Sequence, residues 1–403
     1  MEYYRRNLLV LWMATFLAAA SYQQVIPFLS LFLSELGVTD SLTLWANIVF
    51  ASHYASAIFF QPFWGRIADR VGRKPMMIRA GICLGLIYML MSFATQAWHV
   101  ALCRLLNGAL TGFIPSATSL CATNTPKQYA ARYVASLQTA NAAGTIIGPA
   151  MGGVMAELFG FRGALKASGF TVLGCTLLVL LFVSEKNRVS IRRRSSMWQD
   201  ALQTVRSPLL FTVMLTVAFT AFGTSAVQPI LALYLNNMGQ GGPKWLSGVV
   251  FSLPGVAFVL TAALWTRLGE KRGFGKLIPF GLIWAGVFST ALSFAPNALW
   301  FALLYFLMGA FIAILRPSAS ALIALKVAGD QQGMAYGMQQ SAFMLGGLLG
   351  PLFVAAVGFT GQRWVFAWVG LGLLAGAYLL KRWISRWDKL EPETLRQVAV
   401  TQD

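Results

Sequence analysis

The chain is poor in charge, and above all in acidic residues. Only 11% of its 403 residues are charged, and 13 Asp and Glu stand against 31 Lys and Arg. The sequence also has 2 His and 4 Cys, whereas 57% of its residues are hydrophobic. A chain of this length with so little polar surface is too apolar for a soluble domain. The scarcity of charge therefore excludes a water-soluble protein and predicts a lipid environment.

The few reactive side chains do not form a catalytic pattern. Cys83, Cys103, Cys121 and Cys175 all lie within apolar runs, where cysteine serves as a small packing residue more often than as a disulfide partner. The sequence contains no metal-ligand cluster, no nucleophile with a nearby base and no Walker A phosphate loop. We therefore predict that the protein is not an enzyme, uses no metal or cofactor, and is not driven directly by ATP.

Long apolar runs are what the sequence does contain. Crossing a bilayer takes about 20 apolar residues, and twelve runs reach that length. The first of them could be taken for a cleaved signal sequence, but it stays apolar through Leu36 and its pattern recurs later, so we predict that it is retained. The sequence therefore predicts an all-α integral membrane protein with twelve transmembrane helices. The runs lie near 8–36, 44–65, 75–95, 98–122, 133–159, 163–184, 208–238, 246–266, 277–295, 298–325, 333–359 and 364–384.

The basic residues fall on alternating sides of these runs. A net charge of +18 could indicate a nucleic-acid partner, so the distribution matters more than the total. With the N-terminus in the cytoplasm, most Lys and Arg lie in cytoplasmic loops, which is the positive-inside bias of membrane proteins. The pattern predicts two cytoplasmic termini and no nucleic-acid partner. The exceptions are Arg104, Arg162, Lys166, Lys244 and Arg363 on the other side and Arg316 inside a run.

The second half of the sequence repeats the first. The stretch P-F-L-S-L-F-L-S-E-L-G from Pro27 aligns with P-I-L-A-L-Y-L-N-N-M-G from Pro229, at a spacing of 202. The Gly-Pro pair at 148–149 recurs at 350–351 with the same spacing. Two parallel six-helix bundles with the substrate site at their interface are predicted. At a spacing of 201, Asp69 aligns with Glu270 and Gly108 with Gly309.

This repeat gives the predicted domain boundaries. The first six-helix bundle covers 1–184 and the second covers 208–387. Between them, 185–207 is basic and is predicted to be a cytoplasmic amphipathic linker on the membrane surface. The remaining residues, 388–403, form a cytoplasmic tail.

The densest group of charges between two apolar runs is the loop G-R-I-A-D-R-V-G-R-K. It resembles the loop between helices 2 and 3 of the major facilitator superfamily, with the pattern G-x-L-a-D-r-x-G-r-k. The resemblance implies that Asp69, joined by Arg73, caps the start of helix 11, because a carboxylate complements the unpaired N–H groups there. A generic positive-inside loop would explain the cations, but neither the glycines nor the Asp. The implied cytoplasmic latch consists of Gly65, Asp69, Arg70, Gly72 and Arg73.

A second motif lies in the fourth run. Arg104, Asn107 and Gly108 resemble the R-x-x-q-G pattern of the superfamily, with Asn in place of Gln. The aligned stretch of the second half, from Tyr305 to Gly309, has no Arg. An intramembrane Arg is a functional candidate, so we predict that Arg104 faces a cavity or a proton route and influences coupling. Because it lies toward the outer end of its run, it could instead snorkel to the surface.

The fifth run contains G-T-I-I-G-P-A-M-G-G. It resembles the motif that marks the drug:proton antiporter group of the superfamily, and therefore implies export. Glycines present a smooth face to a neighbouring helix, and an internal Pro introduces a bend. Helix packing alone is the alternative explanation. The motif residues are Gly144, Gly148, Pro149, Gly152 and Gly153.

Uncharged polar residues interrupt several apolar runs, with aromatic and Met residues near them. Together they predict a cavity for bulky lipophilic substrates bound without strict geometry. Each amide could instead bond one helix to another. The cavity candidates are Tyr22, Gln23, Gln24, Asn107, Gln138, Asn141, Phe219, Phe222, Gln228, Gln339, Gln340, Phe343 and Met344.

The sequence departs from many drug:proton antiporters because it has no carboxylate near the centre of a run. All 13 acids fall in loops, tails or the ends of runs. His53 lies about midway along its run, and imidazole can change its charge near neutral pH, although a membrane His can also be a structural hydrogen-bonder. The candidates for proton coupling are Asp69, Arg104, His53, Glu35 and Glu157.

The resemblance covers all twelve runs. It implies a secondary active transporter in the bacterial cytoplasmic membrane, which exports lipophilic or cationic drug-like compounds by alternating access in exchange for protons. Its partners would be a small lipophilic substrate, protons and membrane lipids, and the monomer would be the functional unit. The same motifs also fit a lipid or glycolipid flippase, or an exporter of a single metabolite.

Overall fold

The computed structural model describes residues 3–39, 41–186, 207–238, 244–327 and 332–400. Across these residues the regular structure is helical, and strands are absent from the described ranges. The prediction of an all-α membrane protein is confirmed by helices that are long and apolar enough to span a bilayer.

Six helices form the first half. Helix α1 covers Tyr3–Glu35 and includes a short 3-10 stretch at Ile26–Phe28. After it come α2 (Leu42–Val71), α3 (Arg73–Ser92) and α4 (Ala97–Asn124). One continuous helical run, Lys127–Phe182, completes this half. Its backbone leaves the helical region at Gly160, and the parts before and after this residue are α5 and α6.

The break at Gly160 explains how one run supplies two spans. The apolar part, Gln128–Phe182, has 55 residues and would be about 80 Å long as a straight helix. The hydrocarbon core is only about 30 Å thick. Gly160 has φ 68°, a conformation that glycine adopts without strain. With ten other apolar runs, the described residues therefore supply the twelve predicted spans.

The second half contains six more helices. They are α7 (Pro208–Met238), α8 (Lys244–Arg272), α9 (Phe274–Leu292), α10 (Ala298–Lys326), α11 (Gln332–Val357) and α12 (Gln362–Val400). Most of the predicted linker lies outside the described residues. Helix α12 continues through the predicted start of the tail.

Large apolar side chains on the outside of the helices match a lipid environment. Phe59 on α2 is 75% exposed, and Leu260 on α8 is 67% exposed. A soluble monomer rarely exposes apolar patches of this extent, whereas lipid tails solvate them. The exposed surface of these helices is therefore suited to contact with lipid.

Equivalent hydrogen bonds recur in the two halves. The indole nitrogen of Trp64 donates to the carbonyl of Ala109 at 2.7 Å, and that of Trp265 donates to the carbonyl of Ala310 at 2.9 Å. Both donors and both acceptors are 201 residues apart. The repeat that was predicted from the sequence is therefore also a repeat of contacts.

The described residues cluster into two compact units that do not coincide with the two halves. One unit contains the first six helices together with Val227–Gly255 and Pro351–Gly358, which include the C-terminal parts of α7 and α11 and the N-terminal part of α8. The other unit contains the rest of the second half.

Candidate substrate and coupling site

The antiporter motif forms the face of α5 that packs on α1. At Gly144, Gly148 or Gly152, an added Cβ atom would overlap a carbonyl oxygen of α1, so the two backbones touch. The motif glycines thus let α1 and α5 approach closely, as small residues commonly do where membrane helices meet. The overlapping carbonyls belong to residues four apart, Phe16, Ala20 and Gln24.

The other two motif residues contact the N-terminal part of α8 within the same compact unit. A Cβ atom at Gly248 would overlap the carbonyl of Pro149 and lie 3.3 Å from the Cα of Gly153. Nearby, the hydroxyl of Ser30 donates to the carbonyl of Pro229 at 2.6 Å. Helices of the first half, the C-terminal part of α7 and the N-terminal part of α8 are therefore packed together.

A cluster of polar side chains occupies the interior of the first half. His53 on α2 bonds through Nε2 to the hydroxyl of Tyr22 on α1, at 3.1 Å. The guanidinium of Arg104 on α4 lies 5.9 Å from the centre of the Tyr22 ring and 5.8 Å from that of Phe50. Arg104 is 1% exposed. Its side chain therefore lies inside the first half and does not reach the surface.

The guanidinium of Arg104 in this cluster lacks hydrogen bonds at Nε and Nη1, which have no partner among the described residues. Asn107 lies within reach of side-chain hydrogen bonds to His53 and Tyr88, and electrostatic interactions link Arg104 to the same two side chains. Buried polar groups are normally paired, so Arg104 has unused hydrogen-bonding capacity.

The cavity candidates of the first compact unit have different environments. Gln24 is buried and donates to the carbonyl of Ala164 at 3.2 Å. This bond joins α1 to α6, so the helix-linking alternative applies to Gln24. Gln138 is exposed, whereas Gln23, Asn141 and Gln228 are partly buried.

In the second unit, the amides of α11 interact with α10. Gln339 donates to the hydroxyl of Ser320 at 3.0 Å. Gln340 accepts a long hydrogen bond from Arg316 at 3.4 Å, and the Arg316 guanidinium lies 4.8 Å from the centre of the Phe343 ring. A second intramembrane arginine is therefore placed beside two of the predicted cavity residues. Met344 is buried, and Phe219 and Phe222 form an edge-on ring pair on α7.

The structure brings together only some of the coupling candidates. His53 and Arg104 belong to one cluster, as described above. Glu35, near the outer end of α1, and Glu157, in the last turn of α5, are exposed. The side chain of Asp69 lies outside the described residues, so its predicted contact with helix 11 stays a prediction.

The loop between α2 and α3 is held by a residue that the sequence analysis did not single out. Glu185, just after α6, accepts hydrogen bonds from the backbone N–H groups of Arg73 at 2.8 Å and Lys74 at 3.1 Å. Gly72 has φ 114°, and a Cβ atom there would lie 2.8 Å from Oε2 of Glu185. The carboxylate thus caps the N-terminus of α3. Among the described residues, a Cβ atom at Gly65 would meet nothing within 4 Å.

We expect Glu185→Ala to destabilise the protein by about 1 kcal/mol or more, because two N–H groups at the start of α3 lose their acceptor. Glu185→Gln keeps an acceptor oxygen and should lose less. Thermal unfolding in detergent, followed by tryptophan fluorescence, measures the difference. Glu35→Ala, which removes an exposed acid at the other side of the bundle, is the control. Equal midpoints for Glu185→Ala and the control would contradict the capping role.

Comparison with known proteins identifies the family. The Major Facilitator Superfamily model matches residues 11–278 and 244–399. The multidrug resistance protein MdtG of Escherichia fergusonii is 31% identical over 402 residues, covering 97% of each chain. MdtG of Escherichia coli is 29% identical, covering 98% of this chain and 97% of its own.

Solved structures share the fold at low sequence identity. The nucleoside transporter NupG has a TM-score of 0.77 with 14% identity, covering 94% of this chain and 99% of its own. An inward-facing bacterial homologue of the human lysosomal transporter Spinster has a TM-score of 0.74 with 15% identity, covering 95% and 96%. The chain therefore belongs to the major facilitator superfamily, and is a multi-pass membrane transporter and not an enzyme.

Proposed function

We propose that this protein is a secondary active exporter of lipophilic, drug-like compounds, which works by alternating access in exchange for protons. The observation that carries the proposal is its similarity, over nearly the full length, to proteins named for multidrug resistance. The glycine face of α5 adds support, because its residues form the motif of the drug:proton antiporter group. The polar interior of the first half provides groups that can hold a substrate.

The proposed setting is a bacterial cytoplasmic membrane with both termini in the cytoplasm. The positive-inside distribution of Lys and Arg supports this orientation. We propose that the monomer is the functional unit and that its partners are the substrate, protons and the surrounding lipids.

Reconstituted transport is the direct test. Purified protein is placed in liposomes, and uptake of lipophilic fluorescent compounds of neutral, positive and negative charge is followed with and without an imposed pH gradient. Accumulation that requires the gradient supports proton-driven export. Flux that is unaffected by the gradient favours a facilitated exporter, and scrambling of labelled lipids favours a flippase.

Proton coupling predicts a specific variant phenotype. We expect at least one of His53→Ala, Glu35→Gln and Glu157→Gln to bind substrate yet fail to concentrate it under a pH gradient, because some group must change protonation during the cycle. His99→Ala removes the only other histidine of the sequence, which lies near the start of α4 beside Thr95, and is the matched control. Full coupling in all three variants would leave Asp69 as the proton carrier or exclude proton drive.

A further inference from the structure

We infer that the polar cluster around Arg104 binds an anionic group of the substrate, such as a carboxylate, sulfonate or phosphonate. This inference rests on the proposed export function and narrows its substrate class to lipophilic anions. The cluster consists of Tyr22, His53, Tyr88, Arg104 and Asn107, from helices α1 to α4, all within one compact unit.

The hydrogen bonding of Arg104 is incomplete. Arg104 is 1% exposed, yet its Nε and Nη1 have no partner among the described residues. A buried cation is tolerated when it is paired, and an unpaired one is costly. A ligand of opposite charge can form strong, charge-assisted hydrogen bonds with the free donors of such a buried cation.

The fold does not require a cation at this position. At a spacing of 201 residues, the second half has Tyr305 in place of Arg104 and Met308 in place of Asn107. These two side chains are 6% and 1% exposed, so the same helical position packs well without a cation. His53 corresponds to a proline, Pro254. Helix packing at these positions is therefore compatible with neutral residues.

The geometry of the Arg104 donors matches an anion with two oxygens. The guanidinium is planar and presents Nε–H and an Nη–H on one edge, a fork that matches two oxygens of a carboxylate or phosphonate. The Asn107 amide and the Tyr88 hydroxyl lie near each other in the same cluster. The ring centres of Tyr22 and Phe50 lie 5.9 Å and 5.8 Å from the guanidinium, so its surroundings are partly aromatic, as suits a lipophilic anion.

The sequence has no carboxylate inside an apolar run that could pair with Arg104, because every acid lies in a loop, a tail or the end of a run. A buried arginine without a carboxylate beside it raises the free energy of a cation bound near it and lowers that of a bound anion. Lipophilic anions are therefore favoured over cations as ligands of the cluster.

A matched pair of probes tests the charge preference. 2-Naphthoate and 2-naphthylmethylammonium share a ring system and differ in the sign of their charge, and 2-naphthylmethanol is the neutral reference. Binding to the full-length protein in lipid nanodiscs is measured by calorimetry without any pH gradient. We expect 2-naphthoate to bind at least about tenfold more tightly than the ammonium, a difference of about 1.4 kcal/mol. Equal binding of the two charged probes, or binding of neither, overturns the inference.

Variants locate the preference at Arg104. Arg104→Gln should weaken 2-naphthoate binding about tenfold or more and leave 2-naphthylmethanol unchanged, and Arg104→Lys should keep part of the preference. The control Arg79→Gln removes a cation that stacks on Trp64 at 3.5 Å, away from the cluster, and should bind like wild type. If Arg104→Gln fails to fold, Asn107→Met, which copies the second half, should reduce 2-naphthoate binding alone.

The two hypotheses fail in different ways. Retained 2-naphthoate binding in Arg104→Gln overturns the anion site, whatever the transport assay shows. Selective anion binding that depends on Arg104, combined with no gradient-driven flux of any probe, leaves the anion site standing and rejects proton-driven export.

Discussion

Gly148→Val should leave little folded protein in the membrane. An added Cβ atom would lie 2.5 Å from the carbonyl oxygen of Ala20 and 2.9 Å from the Cβ of Gln23, and valine adds two further methyl groups. The obstacle is backbone of α1, which cannot change rotamer to make room. Moving α1 away from α5 would lose the contact of three motif glycines. We expect destabilisation of about 3 kcal/mol or more, measured as the yield of monodisperse protein and its thermal midpoint.

A glycine elsewhere in the same half provides the control for this prediction. A Cβ atom at Gly174 on α6 meets nothing within 4 Å, so Gly174→Val should express and unfold like wild type. Gly350→Val should behave like Gly148→Val, because a Cβ atom there would overlap the hydroxyl of Ser225 on α7. A normal midpoint for Gly148→Val would show that α1 and α5 are not in backbone contact.

Asp69→Asn should remove most transport and leave folding intact. Asp69 is the only acid in a loop with four cations, from Arg66 to Lys74. A carboxylate at a helix N-terminus contributes up to about 2 kcal/mol, and Asn keeps the shape without the charge. We expect flux per reconstituted molecule to fall about tenfold or more, since 1.4 kcal/mol corresponds to a factor of ten. The assay is gradient-driven uptake into liposomes, normalised to protein content.

A substitution at Glu270 is the control for Asp69→Asn. Glu270 occupies the aligned position of the second half, where the motif is degenerate, so Glu270→Gln should reduce flux less than Asp69→Asn. Wild-type flux by a well-expressed Asp69→Asn protein would reject the latch.

The architecture was predictable because long apolar runs leave little choice in a bilayer. Helices satisfy their own backbone hydrogen bonds, so run length decides the number of spans. The repeat was predictable as well, since the spacing that aligned the sequence also relates Trp64 and Trp265 and their acceptors. The continuous helix across 159–163 was not predicted. The sequence shows a short gap between two runs there, and only the backbone shows that the gap is one residue out of helical conformation.

The sequence identified many of the site residues, but it did not predict which residues they contact. The motif identified the glycines of α5, but which helix they contact depends on packing. Glu185 was missed because the N–H groups it accepts from, those of Arg73 and Lys74, lie more than 100 residues before it in the sequence. No local pattern marks it. Gln24 shows the reverse problem. An amide in an apolar run suits a cavity or a helix bond equally well, and only the contact with Ala164 distinguishes them.

Three helices of the second half change compact unit beside a proline. The changes fall at Val227 in α7, Val256 in α8 and Pro351 in α11, and Pro229, Pro254 and Pro351 lie within two residues of these points. A proline removes one main-chain hydrogen bond and makes a helix easier to bend. Each of these helices is therefore easiest to bend within two residues of the point where it passes from one compact unit to the other.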